Sequence, residues 1–158
     1  TSSADYSILF VPKKNEKLQL CVDYHQLNNI IIKNCYLLLL ISELQDRLRR
    51  ARYFIKLNLH KGYYLVQIKE REEWKTAFKT YLKYFEYTVM LFGLINTSAT
   101  FQSLVNNTLQ DYLDIFCIAY LDNILIYSET LEEYKEHVKK VLKALQNKKL
   151  SMASEKCK

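Results

Sequence analysis

Apolar side chains recur along this chain with two periods, and the change of period divides it into elements. The β-rich runs Ile8–Val11 and Leu18–Val22 flank the polar stretch Lys13-Lys14-Asn15-Glu16, which predicts a hairpin. Ser42 is a candidate cap for a short helix through about Ala51, with Leu44 and Leu48 four apart on one face. Tyr53 to Leu59 alternates apolar and polar residues and reads as a strand. Further strand-like runs are Leu65–Ile68, Thr76–Thr80 and Phe85–Met90. From the candidate caps Asn96-Thr97-Ser98 the period becomes helical, with Phe101, Leu104, Val105, Leu109 and Tyr112 on one stripe. Two apolar runs, Ile115–Leu121 and Ile124–Tyr127, are separated by Asp122-Asn123. Both residues tolerate positive φ, so a hairpin turn is predicted at that pair. A last helix is predicted from about Leu131 to Lys148, with Tyr134, Val138, Val141, Leu142 and Leu145 inside and Lys135, Lys139, Lys140 and Lys143 outside. Helices and strands mixed without strict βαβ alternation predict an α+β domain.

Composition adds limits. At 158 residues, half apolar and a quarter charged, the chain has the balance of one globular domain rather than a disordered or fibrous one. Its longest nearly unbroken apolar run, Tyr36 to Ile41, is about a third of a membrane span, so no membrane crossing is expected. No charged-then-apolar leader opens it. Cys21, Cys35, Cys117 and Cys157 are scattered without a C-x-x-C pair, as are the three histidines. That spacing predicts reduced thiols, no zinc site and an intracellular location, cytoplasm or nucleus. The net charge of +6 is compatible with phosphate contacts to nucleic acid. Only two glycines and one proline are present, against 13 tyrosines; average usage would supply roughly eleven and eight.

Chemistry concentrates at Tyr120-Leu121-Asp122-Asn123. A carboxylate at a tight turn between two buried strands is held rigidly and projects from the tip. Asn58 ends the strand Phe54-Ile55-Lys56-Leu57 in similar style, and if the strands are neighbours, Asn58, Asp122 and Asn123 meet at one sheet edge. The alternative reading is that Asp and Asn simply make good turns.

These residues belong to a longer series: Phe10-Val11-Pro12-Lys13-Lys14, Leu20-Cys21-Val22-Asp23-Tyr24 with Leu27-Asn28, Tyr53-Phe54-Ile55-Lys56-Leu57, Glu73-Trp74-Lys75-Thr76-Ala77-Phe78, Phe92-Gly93-Leu94, Ala99-Thr100-Phe101-Gln102 and Ala119-Tyr120-Leu121-Asp122. In that order they resemble the fingers and palm of the reverse transcriptases of gypsy-like LTR retrotransposons, over nearly the whole chain. The resemblance implies a right-hand polymerase core, with an antiparallel palm sheet, packed helices and a smaller fingers subdomain. Fingers would occupy about 1–52 and 69–91, and palm about 53–68 and 92–158. The chain ends near where a thumb would begin, so thumb, connection and RNase H are expected to lie outside it. The resemblance also implies an RNA-directed DNA polymerase acting on an RNA or DNA template-primer and dNTP, by two-metal nucleotidyl transfer with Mg²⁺ or Mn²⁺. Lys13 and Lys14 would approach phosphates, or form a solvated turn. Tyr63 would gate the incoming sugar, and Gln102 would face the template–nucleotide pair. Trp74 and Phe92 are expected in the core.

The departures from the family pattern are as informative. Relatives read K-L-D-L and Y-L-D-D, three aspartates; the corresponding positions here are Asn58, Asp122 and Asn123. Asp122 is the one acid left to bind metal, and asparagine brings no formal charge. Removing one well-placed electrostatic group costs about 3–4 kcal/mol of barrier, so this copy is expected to be inactive or severely impaired, with weak metal binding. Gln19 stands where relatives have an arginine that contacts the triphosphate, which weakens phosphate grip. Leu37, Leu39 and Leu91 replace prolines, each at an expected cost of about 0.4–1 kcal/mol. Asp→Asn, Arg→Gln, His or Cys, Pro→Leu or Ser, Ala→Thr and Thr→Ile each follow from one C-to-T change on either DNA strand, as does loss of GC-rich Gly and Pro codons. A relic altered by a cytosine-directed process accounts for the whole set; ordinary drift in an AT-rich genome is the milder account. Without low GC content and a transition excess over intact copies, the first account fails. The alternatives to a dead polymerase are a non-catalytic nucleic-acid-binding module and a retroelement relic with no function.

Overall fold

The computed structural model describes residues 5–12, 18–34, 48–60 and 62–152. Among these the strands are β1 (Ile8–Pro12), β2 (Leu18–Val22), β3 (Tyr53–Asn58), β4 (Phe78–Lys79), β5 (Tyr84–Phe85), β6 (Cys117–Tyr120) and β7 (Asn123–Ser128). The helices are α1 (His25–Ile30), α2 (Thr97–Leu109) and α3 (Leu131–Asn147). The chain divides into two compact units, one of residues 1–34 and 63–98, the other of residues 35–62 and 99–158.

The first unit carries two antiparallel hairpins, β1–β2 and β4–β5. Its core gathers Val22, Tyr24, Leu27, Phe78 and Leu91. Leu91, expected to destabilise as a replaced proline, is buried there, so its apolar side chain offsets part of that cost. The Tyr24 hydroxyl donates to the Thr76 carbonyl at 3.0 Å, and its burial pushes the phenol pKa well up. Gly93 takes φ +104°, a backbone state that a side chain would strain. Trp74 and Phe92, expected in the core, are both exposed by more than two-fifths. The three strand-like runs of this region shrink to short pieces: 3₁₀ turns at Gly62–Leu65 and Glu73–Thr76, a single Gln67–Val89 bridge, and the two-residue strands β4 and β5. Short apolar runs do not distinguish a strand from an apolar turn.

The second unit is built on a three-stranded antiparallel sheet in the order β3-β7-β6. Leu57, Ile124, Ile126, Cys117 and Ala119 are buried, as are Phe101, Val105 and Leu109 of α2 and Val141 and Leu145 of α3. The helical stripes read from the sequence are therefore the ones that bury. α3 starts at a capping box, with the Thr130 hydroxyl accepting from the Glu133 N–H and the Glu133 carboxylate accepting from the Thr130 N–H. It packs along β7 and β3. Gly62 lies hard against α2: a Cβ there would sit 2.2 Å from Cζ of Phe101. The predicted helix beginning at Ser42 falls almost wholly outside the described residues, as do Leu37 and Leu39.

Candidate active site

The turn between β6 and β7 is one residue earlier than the Asp-Asn pair suggested. Tyr120 pairs with Asn123, so Leu121 and Asp122 form the tip, and Leu121 adopts φ +52°. A left-handed leucine costs roughly 1–2 kcal/mol. The structure supplies the reason it is held: Oε1 of Gln102 accepts from the Leu121 N–H at 2.6 Å, while Nε2 donates to the Ala119 carbonyl at 3.0 Å. Nε2 also donates to Oδ1 of Asn106 at 2.8 Å. Gln102 is only 2% exposed. Gln102, expected to face a template–nucleotide pair, has its amide engaged beneath the hairpin, bonded to the backbone on either side of Tyr120.

Asn123 pairs across to Asn58 on the other side, so Tyr120, Asn123 and Asn58 stand side by side on one face of the sheet. The Leu59 N–H donates to the Asp122 carbonyl at 2.7 Å, which ties the tip to the end of β3. The three expected residues do meet at one edge. Nδ2 of Asn58 donates to Oδ2 of Asp122 and to Oδ1 of Asn123, each at 3.2 Å. Nδ2 of Asn123 donates to Oδ1 of Asp122 at 3.1 Å. A carboxylate only accepts, so this pattern fixes both amide orientations. Both oxygens of the single acid thus receive an N–H. Cys117, fully buried in β6, has its thiol pushed up to about 12 by desolvation, which keeps it protonated and poor as a metal ligand.

The other expected site residues lie in the first unit or outside the described residues. Gln19 is half-buried in β2, paired with Val11. Tyr63 is half-buried in the Gly62–Leu65 turn, with its ring edge-on to Phe92 at 4.8 Å. Lys13 and Lys14 fall outside the described residues. Tyr120, named with the hairpin in the sequence, is more than half exposed and lies beside Asn123. The support given by Gln102 had no sequence signal, because it depends on which helix passes under the hairpin.

A comparison with known families decides the lineage. The family model described as "Reverse transcriptase (RNA-dependent DNA polymerase)" matches residues 11–158. The chain belongs to the reverse transcriptase family. Within it, the relatives are of the LTR-retrotransposon kind: the chain is 37% identical over 150 residues to the Transposon Tf2-7 polyprotein of Schizosaccharomyces pombe, covering 95% of this chain and 11% of that protein. It is 43% identical over 122 residues to an RNA-directed DNA polymerase homolog of Oenothera berteroana, covering 77% of this chain and 86% of that one. Among solved structures, the foamy viral protease-reverse transcriptase in complex with dsDNA aligns at a TM-score of 0.88 and 25% identity, covering 99% of this chain and 33% of that one. This reverse-transcriptase domain thus has the α+β polymerase fold of its relatives and spans about a tenth of the Tf2 polyprotein.

Proposed function

We propose that the chain is the fingers and palm of a retrotransposon reverse transcriptase that retains a nucleic-acid-binding surface and has lost nucleotidyl transfer. The first unit is read as fingers and the second as palm, with boundaries at 34/35, 62/63 and 98/99 in place of the expected 52/53, 68/69 and 91/92. The observation that carries the loss is the closed amide ring around Asp122: Asn58 and Asn123 direct N–H groups at its two carboxylate oxygens. Family chemistry calls for divalent cations held by clustered hard anionic oxygens. The donor set here does not fit a cation pair, since one carboxylate remains and its oxygens already accept hydrogen bonds. Among the described residues no group of three or more His, Cys, Asp and Glu side chains is placed to hold a metal. A cation would have to displace both amide donors while gaining one negative charge instead of three.

Nucleic-acid binding is supported by the net charge of +6 and by the dsDNA-bound state of the foamy viral relative. It is supported locally by the strip that continues the Asn58 face along β3, where Lys56 and Phe54 are exposed. Primer extension on an RNA template with Mg²⁺ and then Mn²⁺ tests the chemistry. The native chain is expected to add no nucleotides, and incorporation would overturn the proposal. The double substitution Asn58→Asp with Asn123→Asp is expected to restore measurable extension. If it does not, the loss extends to other positions such as Gln19.

A further inference from the structure

The β4–β5 hairpin of the first unit has a surface that the palm chemistry does not use. Its tip is built to be rigid. The Thr80 N–H donates to the Lys83 carbonyl at 3.0 Å, the Thr80 hydroxyl donates to the same carbonyl at 2.7 Å, and the hydroxyl oxygen accepts from the Lys83 N–H at 3.2 Å. On this fixed turn Tyr81 is fully exposed and Leu82 is 85% exposed, with Tyr84 half exposed behind them. Lysines are interleaved with the rings: Lys79 Nζ lies 5.9 Å from the Tyr84 centroid and Lys83 Nζ 5.1 Å from that of Phe85. Phe78 stacks on Phe85 and on Tyr87 from within, so the hairpin is anchored by its own aromatic base. No acid occurs between Glu73 and Glu86.

Exposed aromatic rings carried on a hydrogen-bonded turn beside ammonium groups are the two elements of a single-stranded nucleic-acid platform, where bases stack and phosphates pair. A protein-binding core would instead be depleted in lysine. We infer that the 78–85 hairpin binds single-stranded nucleic acid, stacking bases on Tyr81 and Tyr84 with Lys79 and Lys83 at the adjoining phosphates. This contact is separate from the palm edge and needs no catalysis.

Fluorescence anisotropy with labelled oligothymidylate and the full chain tests it. The Tyr81→Ala/Tyr84→Ala variant should bind about tenfold or more weakly, the loss of at least one stacked base. Tyr81→Phe/Tyr84→Phe should bind as the native chain does. An abasic deoxyribose-phosphate oligomer should not distinguish the native chain from the Ala variant, while Lys79→Gln/Lys83→Gln should weaken both ligands and flatten the salt dependence. Equal affinity of the Ala variant and native chain for oligothymidylate overturns the inference. So does a self-association, seen by sedimentation, that Tyr81→Ser/Leu82→Ser abolishes while oligonucleotide affinity stays unchanged. A primer–template duplex separates the two readings. Duplex binding with Tyr81-independent single-strand binding sinks only this one, and Tyr81-dependent single-strand binding without duplex binding sinks only the retained palm surface.

Discussion

At Asp122 the amides of Asn58 and Asn123 make the local interaction attractive where acids would make it repulsive. Two carboxylates beside a third repel unless a cation lies between them, whereas Asn58 and Asn123 donate to both Asp122 oxygens. Asn58→Asp should therefore lower stability in EDTA by about 1–3 kcal/mol, the cost of lost donors plus like-charge repulsion. Denaturant titration should show that difference shrinking with added Mn²⁺ or below about pH 4, where carboxylates protonate. Gln102 acts one layer beneath. Gln102→Leu would leave the buried Ala119 carbonyl and the Leu121 N–H without their partner and free a turn that needs φ +52° at Leu121. A loss of about 2 kcal/mol or more is expected, read as a shifted denaturation midpoint. The meeting of 58, 122 and 123 was legible because strand ends and a turn can be read from alternation. The Gln102 bonds were not, since a glutamine on a helical stripe looks like any polar interruption.

Between elements, α3 is joined to the sheet through His137. Its Nδ1 lies 2.8 Å from the Ser128 hydroxyl of β7, and its ring stacks on Phe116 at 3.7 Å, nearly parallel. Burial lowers its pKa, against opposing influence from Glu133 and Glu136. With a folded-state pKa below the unfolded one, the unfolded chain binds the extra proton. This contribution to stability is full above about pH 6.5 and is lost as pH falls from there through the folded pKa. Urea midpoints should decline over that window, and His137→Leu should remove this part of the slope. The helices and the long strands were predictable because their periods run over many residues. The short pieces between Gly62 and Met90 were not, because two-residue strands and 3₁₀ turns leave no period to detect. The one-residue shift of the 121–122 turn has a similar origin: turn preference pointed to Asp and Asn, and tertiary hydrogen bonds placed leucine in the left-handed state instead.

For the molecule as a whole, the sequence resemblance identified the reverse transcriptase lineage, and the family model and fold comparison agree with it. Among the described residues no helix is long and apolar enough to cross a membrane. A chain with net charge +6 that neutralises phosphates should lose duplex affinity steeply with salt, each phosphate contact adding about 0.9 to the negative slope of log K against log [salt]. A flat plot would remove phosphate contacts from the proposed function.

The two glycines of the chain are not interchangeable with other residues. One is pressed against the Phe101 ring and the other turns through φ +104°. These are places where replacement displaces packed atoms or forces backbone strain. An alanine at either position would therefore cost stability by a different route, displaced packing at Gly62 and a strained backbone at Gly93.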